Sequence, residues 1–303
     1  GLSDDADARA KAGLLYHLGH AAEGDVLALL VFGVVVLAAM AAFCGVLGRQ
    51  YLRLMTTKRG VKKAVYHAKM TQKSSLRKAL LRRELLHLAS SPAYLLNCAL
   101  GSVMLVVAGG VMLVQAEKIY MQASELLPAD ILPLLLCAMV CVGLATNSLA
   151  APSVSLEGKT LWLIQSLPVT AWQALRAKLD LHLLLTAVPA TFCALCGGLA
   201  FRLSLIELLL ILLVVLLFSC FTALFDLMAG LLWPKLHWTN ETAVVKQSLF
   251  SAVAIFGGWA AGLLLSVGGF LLAAVLPVAA ALLFCAAVLA LADALLLNWV
   301  KGK

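Results

Sequence analysis

Residues 205–232 read LIELLLILLVVLLFSCFTALFDLMAGLL, an unbroken apolar run with two acids, Glu207 and Asp226, and no base. As a helix it would extend about 40 Å at 1.5 Å per residue. That exceeds the roughly 20 apolar residues that cross a bilayer core. Its period is not two, so it does not read as a strand of a membrane barrel. The stretch sets the solvent for the whole chain. Of 303 residues, 63% are hydrophobic and 13% charged, and the mean hydropathy is +1.01. Soluble chains sit near 45–50% apolar and 25% charged. This composition excludes a cytosolic enzyme, a nucleic-acid-binding domain and a secreted disulfide scaffold.

Working outward, six further runs are long enough to span: Val26–Gly48, Ala93–Val114, Ile131–Ala151, Leu181–Phe201, Ser248–Val267 and Phe270–Leu297. Two pairs are joined by tight turns, at Phe201–Ser204 and at Val267–Gly269. The expected fold is therefore all-α and polytopic, with seven transmembrane helices and short helices at the cytoplasmic surface. Basic residues set the orientation, because cytoplasmic loops carry the Lys and Arg excess. Segments 49–92, 152–180, 233–247 and the tail after Leu297 hold 19 of the 23 Lys and Arg, and the opposite side holds four. The N-terminus is expected outside and the C-terminus inside. Residue 1 is Gly, and an outside N-terminus without a leader reads as the C-terminal piece of a longer polytopic chain.

Three inner segments carry the informative pattern. Ser75–Ser90 is a candidate helix with Leu81, Leu85 and Leu88 on one stripe and Arg77, Lys78, Arg82 and Arg83 around it. It suits a helix on the inner leaflet whose Arg stems snorkel to headgroups. In 152–180, Ser155 is placed to cap a first helix, with Glu157 in its first turn and Leu161, Trp162, Ile164 and Leu167 as its apolar face. Pro168 breaks that helix, and Thr170 with Gln173 forms a capping box for the next. Two short helices at a Pro turn suit docking into a partner's groove. In 233–247, Thr239 is placed to cap a helix with Glu241 in its first turn.

These segments, in order, resemble one family. Arg83-Glu84-Leu85 followed by Ser90-Ser91-Pro92-Ala93-Tyr94-Leu95-Leu96-Asn97 is similar to the approach into the membrane half of type-2 ABC exporter permeases. Ser153-Val154-Ser155-Leu156-Glu157-Gly158-Lys159 with Ser166-Leu167-Pro168-Val169 resembles the loop after the second span of bacterial ABC exporter permeases. Asp226, then Pro234-Lys235-Leu236-His237-Trp238-Thr239-Asn240-Glu241 and Val245-Lys246, resembles their loop after the fourth span. The likeness covers about residues 76–250.

The resemblance implies a permease half of six spans over 76–303, with a lead-in helix at 76–91 and a coupling hairpin at 152–180. Residues 1–25 would be extracytoplasmic, 26–48 the last span of a preceding half, and 49–75 a basic cytoplasmic linker. The missing N-terminal half would be this chain's own partner in the membrane. The implied protein is the plasma-membrane subunit of an ATP-driven bacterial exporter, surrounded by lipid. A separate ABC ATPase subunit would hold ATP and Mg²⁺, and this chain would bind no cofactor. The implied ATPase contacts are Glu157, Gly158, Lys159, Trp162, Leu163, Leu167 and Pro168. Arg77, Arg82, Arg83 and Glu84 belong to the lead-in helix, and Asp226, Lys235, Asn240, Glu241 and Lys246 to a polar inner face.

Rival chemistry finds little support. Gly158-Lys159-Thr160 looks like the end of a phosphate-binding loop, but the position of its first Gly is Ser153. Cys193 and Cys196 have metal spacing without His or acid nearby, and His17 and His20 are two ligands where a site needs more. No H-E-x-x-H or G-x-S-x-G occurs, so no catalytic constellation is expected. Asp226 and Asp293 fall within about 12 Å of the inner surface, where Lys235, Lys246 or Lys301 are the expected ion-pair partners; Glu207 lies at the outer end near Arg202. A seven-helix receptor or sensor matches the span count. Spans four to seven, however, leave almost no outer loops to form a ligand mouth.

Overall fold

The computed structural model describes residues 26, 30–31, 33–38, 40–45 and 75–302. The expected segments 1–25 and 49–74, with His17 and His20, lie outside the described residues. The chain divides into two units, Gly1–Thr71 and Gln72–Lys303. In the first, the described residues are helical within the expected span Val26–Gly48, including Gly33–Gly45.

The second unit is all-helical among the described residues. Its elements are α1 (Leu76–Ser90), α2 (Pro92–Cys98), α3 (Leu100–Val114), α4 (Ala116–Leu126), a 3₁₀ turn (Ala129–Ile131), α5 (Leu132–Ala145), α6 (Ala150–Leu156), α7 (Leu161–Ser166), α8 (Ala171–Ala200), α9 (Leu205–Leu232), α10 (Glu241–Lys246), α11 (Leu249–Ala273) and α12 (Val278–Lys301). Five stretches are long and apolar enough to cross a bilayer: Ala129–Leu156, Ala171–Ala200, Leu205–Leu232, Glu241–Ala273 and Val278–Lys301. A sixth arises if α2 and α3, bent by 48°, form one span. The protein is thus a multi-pass membrane protein by length and composition.

α8 and α9 form the centre. α3 packs along α8, α12 along α9, and α5 and α11 close the bundle. The main core joins Leu136, Val140 and Leu144 of α5 to Ile211, Val214 and Phe218 of α9 and Leu282 and Leu289 of α12. A second core gathers Leu88, Tyr94, Leu149, Leu156, Val244 and Phe250 at the end where α1, α2, α6 and α10 meet.

The α8–α9 turn falls where the sequence places it. Arg202 takes a positive φ of 54°, and the Leu203 amide donates to the Gly198 carbonyl, which caps the end of α8. Ser204 and Glu207 then form a capping box for α9. Glu207 is committed to that cap, and Arg202 faces Glu117 at 3.7 Å instead.

The α11–α12 turn departs from expectation. Gly268 and Gly269 lie inside α11, and the chain turns at residues 274–277, just before the start of α12. Pro277 ends the preceding segment and its fixed φ leads into the new helix. Both glycines are accommodated within α11, where a Cβ on Gly269 would make only ordinary contact with Leu134 and Cys285.

Two helical stretches are interrupted, and the interruptions face each other. α2 and α3 part at Ala99, and α5 and α6 part over 146–149. Backbone groups freed inside an apolar bundle need partners. Tyr94 Oη donates to the Leu149 carbonyl at 2.6 Å, and the Ser102 amide donates to Asn147 Oδ1 at 2.8 Å. A Cβ on Gly101 would collide with Thr146 and Asn147, so Gly there lets the breaks close on one another.

Candidate functional site

The end of the bundle that carries α1 and α7 also carries the concentrated charge. α1 forms where expected, and Ser91 serves as its C-cap and as the N-cap of α2, accepting from the Tyr94 amide. The buried face of α1 is Leu80, Glu84 and Leu88, one position off the expected Leu81–Leu85–Leu88 stripe. The reason is Glu84, which the bundle needs inside.

Glu84 is 4% exposed, Glu157 5% and Lys178 3%. Lys178 Nζ lies 2.8 Å from Glu157 Oε1 and 3.2 Å from Glu84 Oε2, and it donates to the Ser153 carbonyl. Arg83 Nη1 reaches Glu157 at 3.0 Å and Glu84 at 3.4 Å. Two acids and two bases therefore balance, with Arg83 sealing the outer side. Burial alone would raise the Glu157 carboxyl; Lys178 and Arg83 outweigh it and hold the carboxyl below its ordinary range. Arg77 adds a bidentate pair with Asp180, at 2.6 and 2.7 Å. Arg82 is exposed.

Ser155 is not a helix cap. It lies within α6, fully buried. Its Oγ accepts from the Lys235 amide at 2.9 Å, and its carbonyl accepts from Trp238 Nε1 at 2.8 Å. Glu157 accordingly stands at the C-terminal end of α6, not in the first turn of a helix. Gly158 permits the close approach: a Cβ there would run into the Leu236 carbonyl oxygen. Lys159 Nζ sits 4.1 Å from the Trp238 ring centroid. The N-cap of α10 is Asn240, not Thr239, and it accepts from the Thr242 amide. Glu241 Oε2 accepts from Ser91 Oγ at 2.7 Å. Segments around 83–97, 153–159 and 234–241, far apart in the chain, are therefore docked on one another. Lys235 and Lys246 are exposed.

Beyond this clamp the chain rises into the expected hairpin. α7 buries no residue. Leu167 is extended ahead of Pro168, as a residue before proline must be, and the Thr170–Gln173 capping box opens α8. The apolar residues of α7 divide between two sides. Leu161 and Ile164 face a cavity of about 410 Å³, whose lining also includes Leu175, Leu231, Glu157 and Lys178. Trp162 (67% exposed), Leu163 (40%) and Leu167 (43%) point away.

Asp226 is the clearest correction. It is 2% exposed and pairs with no lysine among the described residues. Its neighbour is His182 on α8, with Nδ1 3.5 Å from Oδ2. Lys301 instead lies over the Trp172 ring at 5.5 Å, and the Asp293 carboxylate oxygens are buried without a hydrogen bond. Sequence reasoning missed Lys178 and His182. The available signal was their spacing: polar residues at 178, 182 and 186 share one face of an otherwise apolar helix.

The chain matches no protein-family model, no curated protein and no solved structure. The site is thus defined by its geometry: a charge-clamped, multi-pass helical bundle presenting an apolar hairpin.

Proposed function

We propose that this chain is the membrane subunit of an ATP-driven bacterial exporter of the type-2 ABC permease kind. It moves an unidentified substrate out of the cytoplasm, driven by a separate ATPase. In this reading the charged end faces the cytoplasm, the ATPase grips the hairpin 152–180, and ATP and Mg²⁺ stay on the ATPase. The observation that carries the reading is a contrast. The base of the hairpin is fixed by the Arg83–Glu84–Glu157–Lys178 quartet, while Trp162, Leu163 and Leu167 at its tip lie uncovered. A rigid base with an apolar tip transmits force from a docked partner to α8 and α6, which reach into the bundle. Each of the three side chains offers roughly 1.5–3 kcal/mol if fully desolvated.

Leu167→Asp tests the docking. It places a charge in the partner's groove without touching the bundle. We expect normal membrane levels, loss of the co-purifying ATPase and loss of substrate-stimulated hydrolysis. An intact ATPase complex with this variant, or no ATPase on the wild-type chain isolated from its native membrane, overturns the reading. Orientation is tested by Ser124→Cys in α4, which an impermeant thiol reagent should label from outside intact cells. Labelling only after the membrane is opened would invert the topology.

A further inference from the structure

A file of buried polar side chains leads from the quartet into the bundle. On α8, Lys178, His182 and Thr186 follow at four-residue spacing, and each is no more than 3% exposed. They extend about 12 Å along the helix axis. On the facing α9, Asp226, Thr222 and Ser219 run alongside, equally buried. Thr222 Oγ1 stands 3.5 Å from His182 Nε2. Three side-chain atoms in this file make no hydrogen bond: His182 Nδ1, Ser219 Oγ and Asp226 Oδ2.

A buried polar atom without a partner is costly, and an uncompensated buried charge costs more. The groups around Asp226 can be counted. α8 supplies His182. α2 supplies Tyr94, whose hydroxyl donates to the Leu149 carbonyl, and the buried Cys98. The polar Ser148 and the Ala150 backbone also face the carboxyl. α11 has no acid or base in its sequence. His182 is therefore the only described basic group within ion-pair reach of Asp226.

With those partners, two protonation states of the pair carry no net charge: a neutral acid beside a neutral imidazole, or a carboxylate beside an imidazolium. Both hold one ionisable proton between the two residues. A bare carboxylate beside neutral His182 would leave a buried charge unbalanced. At 3.5 Å the pair is longer than the 2.7–2.9 Å of a charge-assisted hydrogen bond, so the pairing does not lock the ionic form. We infer that His182 and Asp226 form a proton-binding site at the inner end of the polar file. The one proton is shared between Asp226 Oδ2 and His182 Nδ1, 3.5 Å apart, and exchanges with the medium past Lys178. The inference rests on the bundle and stands whether or not the chain is a transporter.

Infrared spectroscopy of the full chain in lipid, stepped between about pH 5 and 9 with isotope-labelled aspartate, reads the site directly. We expect a protonated-carboxyl band that fades as pH rises and is absent in Asp226→Asn. In His182→Gln the band should gain intensity at low pH, because the shared proton can no longer sit on the imidazole. Should Asp226→Asn fail to accumulate, the band remaining in Asp293→Asn protein reports Asp226, since Asp293 is the other buried unpaired carboxyl. Absence of an Asp226 acid band at every pH overturns the proposal, as does a band insensitive to both pH and His182→Gln.

Discussion

The quartet beneath the hairpin and the tip of the hairpin invert the usual placement of residues. At the base, Glu84, Glu157 and Lys178 are all but sealed from solvent. At the tip, Trp162 and Leu167 stand in the open. Charge is tolerated inside because it is exactly balanced and each group has more than one partner. Apolar surface outside lowers no free energy until something covers it. The lesson is a division of labour: the base spends its interactions on fixing geometry, and the tip keeps its own in reserve.

The sharpest way to break that comparison is to unbalance the base. Lys178→Met should leave Glu84 and Glu157 with Arg83 alone. Removing one partner of a buried ion pair costs about 3–5 kcal/mol. Thermal unfolding in detergent should show the largest drop of any single change discussed here. A loss of under about 1 kcal/mol would mean that water already reaches the quartet.

Next comes the seam between residues 153–159 and 233–240. Gly158→Ala forces a methyl against the Leu236 backbone, which cannot swing aside as a side chain would. Overpacking of this kind costs about 1–3 kcal/mol. The same melting assay checks it, and loss of the Lys159–Trp238 contact should appear as a change in Trp fluorescence.

A smaller effect follows from pH. The Glu157 carboxyl is held below its ordinary range, so its contribution is complete above the unfolded value, about 4.3. It is lost as pH falls through the lowered native value. Glu157→Gln should melt below the wild type at neutral pH, with the gap closing in acid. A gap that widens in acid would reverse the sign. Smallest of all is the tip. Leu167→Asp should change intrinsic stability by less than about 0.5 kcal/mol, the usual range for surface sites, while abolishing partner capture. A large stability loss would show that the tip is part of the folded core.

Much of the fold was legible where the signal is local. The capping box at Thr170 depends on residues three apart, and the α1 helix on its own spacing. Misreadings came from residues whose meaning depends on neighbours. Gly268–Gly269 reads as a turn by composition, yet both lie inside a helix that continues to Ala273. Ser155 has the chemistry of a cap, but its hydroxyl is taken by the Lys235 amide, 80 residues away.

By itself, the sequence determined that this chain folds as helices, several of them long and apolar enough to cross a membrane. Those properties follow from composition and from periodicities within single segments. Tertiary structure decided who pairs with whom. Glu84 meets Lys178 across 94 residues, and Asp226 meets His182 rather than any of the lysines nearby in sequence. Ion pairs need only a few ångströms between side chains, and nothing in a linear pattern records that distance. In an apolar bundle, the choice of partner falls to whichever helix face packing brings within reach.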